Sequence, residues 1–207
     1  MVERNEKLRR YWNKQAPSYD RSMGFMERHL FRDTREWICR QATGDILEVA
    51  IGTGLNLPHY AEDVRLAAVE QSPEMLAIGQ QRAEKLGMAV DLRIGDAQAL
   101  NFPDASLDTV VCTFSLCAIP DDHRAVREMI RVLRPGGLLL LADHVAGAHW
   151  PTRAAQWSIE RITIPLGEEH FRRRPIRHVQ AGGLVIEHHE RFNLGIIERL
   201  AARKPVH

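Results

Sequence analysis

The chain has 207 residues, with 28 Lys plus Arg against 27 Asp plus Glu and a formal net charge of +1. That balance excludes recognition of nucleic acid or of an anionic surface through bulk charge, and no apolar run is long enough to span a bilayer. Cys39, Cys112 and Cys117 are scattered and form no Cys-x-x-Cys pair, so neither a disulfide framework nor a zinc site is implied.

The N-terminus M-V-E-R-N-E-K-L-R-R is not that of a signal peptide, and with few cysteines it fits a reduced, cytoplasmic setting. The length suits one domain over 1–207 with a full core. Residues 1–44 read as helical, with Leu8, Tyr11, Trp12 and then Phe25, Met26, Leu30, Phe31, Trp37 and Ile38 at helical spacing. Pro17 is expected to break that helix.

Asp45–Pro58 is the stretch around which the rest is organised. Ile46–Ala50 is a short apolar run, as in a parallel strand buried on both faces. It breaks into Gly52-Thr53-Gly54, where two glycines permit a tight turn and close approach of a ligand. Glu48, inside the strand, suits a cationic ligand better than a pyrophosphate. Asn56 and Tyr60 are expected to open a helix. A second strand, Val64–Glu70, ends in an acidic residue about 20 positions past the glycines, the place from which a carboxylate binds two ribose hydroxyls. Gln71 and Ser72 follow, with Ser72 as N-cap, Pro73 at the first helical position and Gly87 as C-cap.

Ala89–Ile94 reads as the third strand, followed by Gly95-Asp96-Ala97. The fourth strand ends near Thr113, which puts Ser115, Leu116 and Cys117 on the ligand side of an open α/β sheet. His123–Leu133 is an amphipathic helix, and Arg134-Pro135-Gly136-Gly137 turns into a fifth strand, Leu138–Asp143. His144, at that strand's carboxyl end, is the candidate ionisable group for catalysis, with loop capping as the competing role. Residues 144–180 read as a substrate-side cap. Its Arg172, Arg173, Arg174 and Arg177 either hold an anionic substrate group or form a solvated helix end. Residues 181–207 read as two strands of a terminal hairpin. The pattern is a doubly wound, seven-stranded, mostly parallel α/β sheet with an antiparallel C-terminal hairpin.

Five strings in order carry a family resemblance: Y-x-x-x-x-A-x-x-Y-D from Tyr11, Glu48-x-Ala50-x-Gly52-x-Gly54, Glu70-Gln71-Ser72-Pro73-Glu74-Met75-Leu76, Gly95-Asp96-Ala97-x-x-Leu100, and Leu133-Arg134-Pro135-Gly136-Gly137. Together they resemble class I S-adenosylmethionine (SAM) methyltransferases similar to the ubiquinone/menaquinone enzymes, with Ala50 where that family usually carries glycine. The resemblance implies a Rossmann-like core over 45–143 that binds SAM and releases S-adenosylhomocysteine. It also implies a lid over 1–44 whose Tyr11 and Tyr19 cover the methionine end. Met75 would lie against the adenine, Asp96 would accept its amino group, and Ala97 would offer a backbone N–H. Thr53 would contact the cofactor, and Ser115, Leu116 and Cys117 would face both the methionine moiety and the substrate. The stretch from Asp143-His144-Val145-Ala146 onward further resembles phosphatidylethanolamine-methyltransferase-like and thiol-methyltransferase-like proteins, so a lipid head group joins phenols, amines and thiols as an acceptor.

The implied reaction is in-line transfer of methyl to an oxygen, nitrogen, sulfur or carbon nucleophile of a small molecule. No nucleic acid, metal or covalent intermediate enters, and the protein is a monomer or a homodimer. Two other classes share the pattern: a nicotinamide (NAD(P)) oxidoreductase, disfavoured by Leu57 at the third glycine position, and a SAM-binding protein that transfers nothing.

Overall fold

The computed structural model describes residues 2–206, and the side chains of residues 4–206; Met1 and His207, the outer ends of the expected lid and hairpin, lie outside the described residues. Seven strands form one sheet: β1 Asp45–Val49, β2 Arg65–Glu70, β3 Val90–Ile94, β4 Leu107–Thr113, β5 Leu133–His144, β6 Val185–Phe192 and β7 Ile197–Arg203. Their spatial order is β3-β2-β1-β4-β5-β7-β6. The first five are parallel, and β7 runs antiparallel to both β5 and β6. The α-helices are α1 Val2–Met26, α2 Thr34–Cys39, α3 Pro73–Leu86, α4 Asp122–Val132, α5 Trp150–Gly167 and α6 Pro175–Ala181. None is long and apolar enough to cross a membrane.

The central strands are apolar at nearly every position because both faces are covered. Leu47, Val110, Cys112, Leu139 and Leu141 pack against Ala125, Val126, Met129 and Val132 of α4 and Val179 of α6. The alternate residues Ile46, Val111 and Leu140 meet Phe31, Ile38 and Cys39 on the other side. Burying each large side chain of this kind stabilises the fold by roughly 1.5–3 kcal/mol. The Arg134-Pro135-Gly136-Gly137 string is architectural. Arg134 donates to Asp108 at 2.6 Å, and a Cβ on Gly137 would sit 2.9 Å from the Arg134 carbonyl oxygen.

Two local expectations are corrected. The first core helix is absent: after β1 the chain makes tight turns and one 3-10 turn, Leu57–His59, whose Asn56 and Tyr60 flank it rather than start an α-helix. Pro58 at its second position and the left-handed glycines before it leave no stretch long enough for one. Pro17 lies inside α1 and does not end it. Asn13 and Asp20, on either side, are tied to Ser72, Thr53 and Arg82, on the loop after β1 and on α3 and its cap.

Candidate active site

The order β2-β1-β4 marks the switch point where chain connections depart in opposite directions, and a crevice opens there at the carboxyl ends. It encloses about 840 Å³ of free space, part of it open to solvent. Its floor is Ala50–Thr53. Ala50 adopts φ +57° and Gly52 φ +58°. The first value explains why glycine is the easier residue at position 50. A Cβ on Gly52 would meet nothing within 4 Å, so that glycine opens onto room for a ligand. Gly54 serves packing instead: a Cβ there would lie 2.8 Å from the Leu57 side chain and close to Gly79 of α3.

Glu70 ends β2 with its carboxylate buried in the crevice wall. It accepts the Gly52 N–H at 3.0 Å and the Ser72 N–H at 2.8 Å. Burial pushes its pKa up, and the N–H bonds pull against that shift. Each oxygen keeps a lone pair for a further donor. Ser72 caps α3 by accepting the Met75 N–H at 3.2 Å, and Met75 lines the crevice beyond it. Asp96, after β3, accepts from the Gln98 backbone and side chain at 2.9 Å each and from Asn5 at 2.9 Å. Gln71 and Ala97 also face the crevice.

α1 closes the crevice. Leu8, Trp12 and Tyr19 share one face of that helix and line the cavity. Tyr11 does not. One residue out of phase, it donates to Glu169 at 3.4 Å and packs against Gly167 of α5. The helix is strapped down by polar contacts: Gln71 donates to the Asn5 carbonyl at 3.0 Å, Ser72 to Asn13 at 2.7 Å and Thr53 to Asp20 at 2.6 Å. Asp20 also accepts from Arg82 of α3. Burial raises the Tyr19 phenol well above its ordinary pKa.

Glu48 and Asn56 stand behind the wall rather than on it. Glu48 is 2% exposed and accepts from Asn56 at 2.8 Å and from Tyr60 at 2.9 Å. Burial pushes its carboxyl up to about 7 against those hydrogen bonds and the Arg35 charge. Asn56 in turn accepts from Arg35 at 2.8 Å. Arg35, on α2, also donates to Thr113 at 3.1 Å and to Glu27 at 2.6 Å, and its guanidinium reaches the crevice beside Phe114. Sequence reasoning missed Arg35, because no motif or period marks a lone arginine that tertiary packing carries to the site. Trp12 was missed too, although its shared helical face with Leu8 and Tyr19 is a signal that could have found it.

Ser115 lines the crevice, donating to the Thr113 carbonyl at 2.9 Å. Leu116 and Cys117 are buried outside the wall. The Cys117 N–H donates to Asp143 at 3.0 Å, and burial raises its thiol. His144 lies on the far side of Phe114, with its ring within 5.6 Å of the Phe31, Phe114 and Phe171 rings. Both its nitrogens are buried without a hydrogen-bond partner. The ligand atoms of Cys117, Asp143 and His144 fall within 4.8 Å of one another, but Asp143 is engaged by the backbone N–H groups of Cys117 and His144. The arginine cluster is largely structural. Arg173 donates to the carbonyls of Leu116, Ile119 and Pro120, and Arg172 pairs with buried Glu160. Arg174 has a buried Nε without a partner, and Arg177 is exposed.

A buried carboxylate with acceptor capacity to spare at Glu70, room over Gly52 and a second acceptor at Asp96 fit an adenosine-bearing cofactor. The methyltransferase domain model matches residues 47–141. Phosphatidylethanolamine N-methyltransferase of Cereibacter sphaeroides is 36% identical over 151 residues, 72% of this chain and 74% of that protein. Human thiol S-methyltransferase TMT1A is 32% identical over 62% of this chain and 54% of its own. The ubiquinone/menaquinone C-methyltransferase UbiE of Rubrivivax gelatinosus is 33% identical over 72% and 60%. Among solved structures, a SAM-dependent methyltransferase of Thermotoga maritima superposes with a TM-score of 0.70, 19% identity and coverage of 94% of this chain and 99% of that one. The chain therefore belongs to the SAM-dependent methyltransferase family, with the class I fold, and SAM is its cofactor.

Proposed function

We propose that this methyltransferase acts on a small molecule that brings its own nucleophile, a neutral amine or a thiolate. The observation that carries this reading is the crevice lining. Its titratable groups are Tyr19, Arg35, Glu70 and Asp96. Tyr19 stays protonated, Arg35 is a cation, and the remaining acceptor capacity of Glu70 and Asp96 is committed to the cofactor in this reading, so none is left as a base for the acceptor. A thiol ionises near neutral pH and an amine keeps a lone pair, so neither needs one. The names of two relatives, a phosphatidylethanolamine N-methyltransferase and a thiol S-methyltransferase, agree with that chemistry.

In this reading the Ala50–Thr53 backbone approaches the cofactor, Glu70 and Gln71 take the ribose hydroxyls, and Asp96 with the Ala97 N–H takes the adenine edge over Met75. Arg35 holds the methionine carboxylate, with Glu48 and Asn56 bracing it from behind. Tyr19 and Trp12 cover the sulfonium region beside Ser115. SAM supplies a methyl group already activated on sulfur. The chain's own work is to align the acceptor and keep water out. The three free, buried cysteines support a reduced cytoplasmic setting.

Calorimetric titration with SAM, S-adenosylhomocysteine and NADH, followed by turnover on amines, thiols, phenols and lipid head groups, tests this. Binding of the first two ligands and methylation of an amine or thiol are expected. Turnover confined to phenols would overturn the acceptor class, and saturation with SAM without turnover on any acceptor would favour a regulatory role.

A second reading rests on the two unpartnered nitrogens of His144: the imidazole serves as a base for the acceptor once Phe114 moves aside. His144→Ala should then lower turnover and remove a limb of the pH–rate profile while SAM affinity stays within about twofold. An unchanged profile would reject it.

A further inference from the structure

Helix α5 is turned inside out. Its polar residues Gln156 and Glu160 are 7% and 4% exposed, whereas Trp150, Trp157, Ile159, Ile162 and Leu166 are 76%, 47%, 49%, 66% and 59% exposed. The helix is pegged to the protein by hydrogen bonds. Gln156 accepts the Gly147 N–H at 2.8 Å and donates to the Val145 and Phe171 carbonyls at 2.9 Å each, and Glu160 accepts the Arg172 N–H at 2.9 Å. At 100° per residue the solvent side is an apolar arc broken by one hydroxyl, Ser158, and by Arg161, with Arg153 at its edge. A contiguous exposed apolar face of this kind marks a surface that is covered in use.

The exposed charges on α5 itself have one sign. Arg153 and Arg161 are the exposed charged side chains of α5, and its only acid, Glu160, is buried against Arg172. Arg161 lies 4.5 Å over the Trp157 ring. α1 runs beside α5, with Lys7 donating to the Pro165 carbonyl at 2.9 Å and Arg4 paired with Glu168 at 2.6 Å. Residues 4–26 carry six Lys or Arg against two acids. We propose that α5 is an interfacial helix that seats the protein on an anionic lipid bilayer. Its tryptophans and isoleucines enter the headgroup–acyl boundary, and Arg153, Arg161 and the α1 cations meet lipid phosphates. Tryptophan with arginine at one edge and aliphatic side chains across the rest is the composition of helices that lie in that plane. At about 27 Å the helix is long enough to lie along the surface, and its charges keep it from crossing. A two-fold pairing of α5 with a second copy would set Arg161 and Arg153 against their own kind.

Flotation of the full chain with vesicles tests this independently of any cofactor or acceptor. Phosphatidylcholine vesicles containing added phosphatidylglycerol should carry the protein with a blue shift of tryptophan emission. Phosphatidylcholine alone should carry far less, and high salt should release the protein. Ile162→Asp and Arg161→Glu should each lower partitioning by about tenfold or more, with thermal midpoint and SAM affinity unchanged because both side chains are exposed. The native chain staying in solution with every vesicle would overturn the proposal. So would partitioning indifferent to Ile162→Asp or to phosphatidylglycerol, or a dimer in light scattering that Ile162→Asp splits.

Discussion

The cofactor wall and the cap are built in opposite ways. In β1, β2 and β4 the chain buries apolar residues on both sheet faces, and at the carboxyl ends of β2 and β3 Glu70 and Asp96 accept backbone N–H groups. In the cap, helix α5 does the reverse, while α6 buries Ile176 and Val179 in the core. Gln156, Glu160 and Arg173 point inward as pegs, and the apolar residues of α5 point out. A wall stabilised by hundreds of small contacts is rigid as a unit, whereas a cap pinned by a few directional bonds can detach when any one of them fails.

That contrast can be broken most sharply at the crevice floor. Gly52→Val puts a β-branched residue at φ +58° and fills the free space above it. SAM affinity should fall at least about a hundredfold, or 2.7 kcal/mol, as read by calorimetry on protein shown by circular dichroism to be folded; retained affinity would mean the floor is misassigned.

A stability effect should follow at Glu48, whose carboxyl rises from an ordinary 4.5 to about 7 on burial. The raised value means that the folded state holds a proton the unfolded chain has lost. Its stabilising effect is full below pH 4.5 and fades as pH climbs through 7. Compared with Glu48→Gln in urea titrations, the native chain should lose about 2 kcal/mol of relative stability between pH 5 and 8; parallel curves would contradict the buried-acid account.

Glu70→Ala removes the acceptor of two N–H groups and the proposed ribose partner. A loss of about 1.5–3 kcal/mol in SAM binding is expected, and parent-like affinity would reject the ribose role. The smallest effect sharpens the comparison directly. Amide protons of α5 should exchange about tenfold or more faster than those of α4, whose Ala125, Val126, Met129 and Val132 are all buried. Equal protection would show that the pegs hold the cap as firmly as packing holds the wall.

The same division explains what was legible in the sequence. Strand ends at Glu70 and Thr113 and the caps Ser72 and Gly87 follow from local chemistry, and the structure places them at the expected residues or one away. The antiparallel terminal hairpin followed from two strand patterns around a glycine turn. The missing first helix turned on Pro58 and the positive φ values before it, which a match to a motif does not display. Pro17 was misjudged because contacts from Asn13 and Asp20 to distant parts of the chain outweigh a local penalty. Tyr11 was separated from Tyr19 only by helical phase. Arg35 and the inward-facing Glu160 left no local trace, since each depends on a partner more than ten residues away.

The position of β7 bears on how the sheet is assembled. Ile197–Arg203 follows β6 in the chain, yet it lies between β5 and β6 and hydrogen-bonds both. Until β7 is inserted, β5 has an open edge and β6 has no neighbour in the sheet. The five parallel strands pair without it. Docking of β7 therefore joins the hairpin to the rest of the sheet and covers an edge that would otherwise be free to pair with another chain.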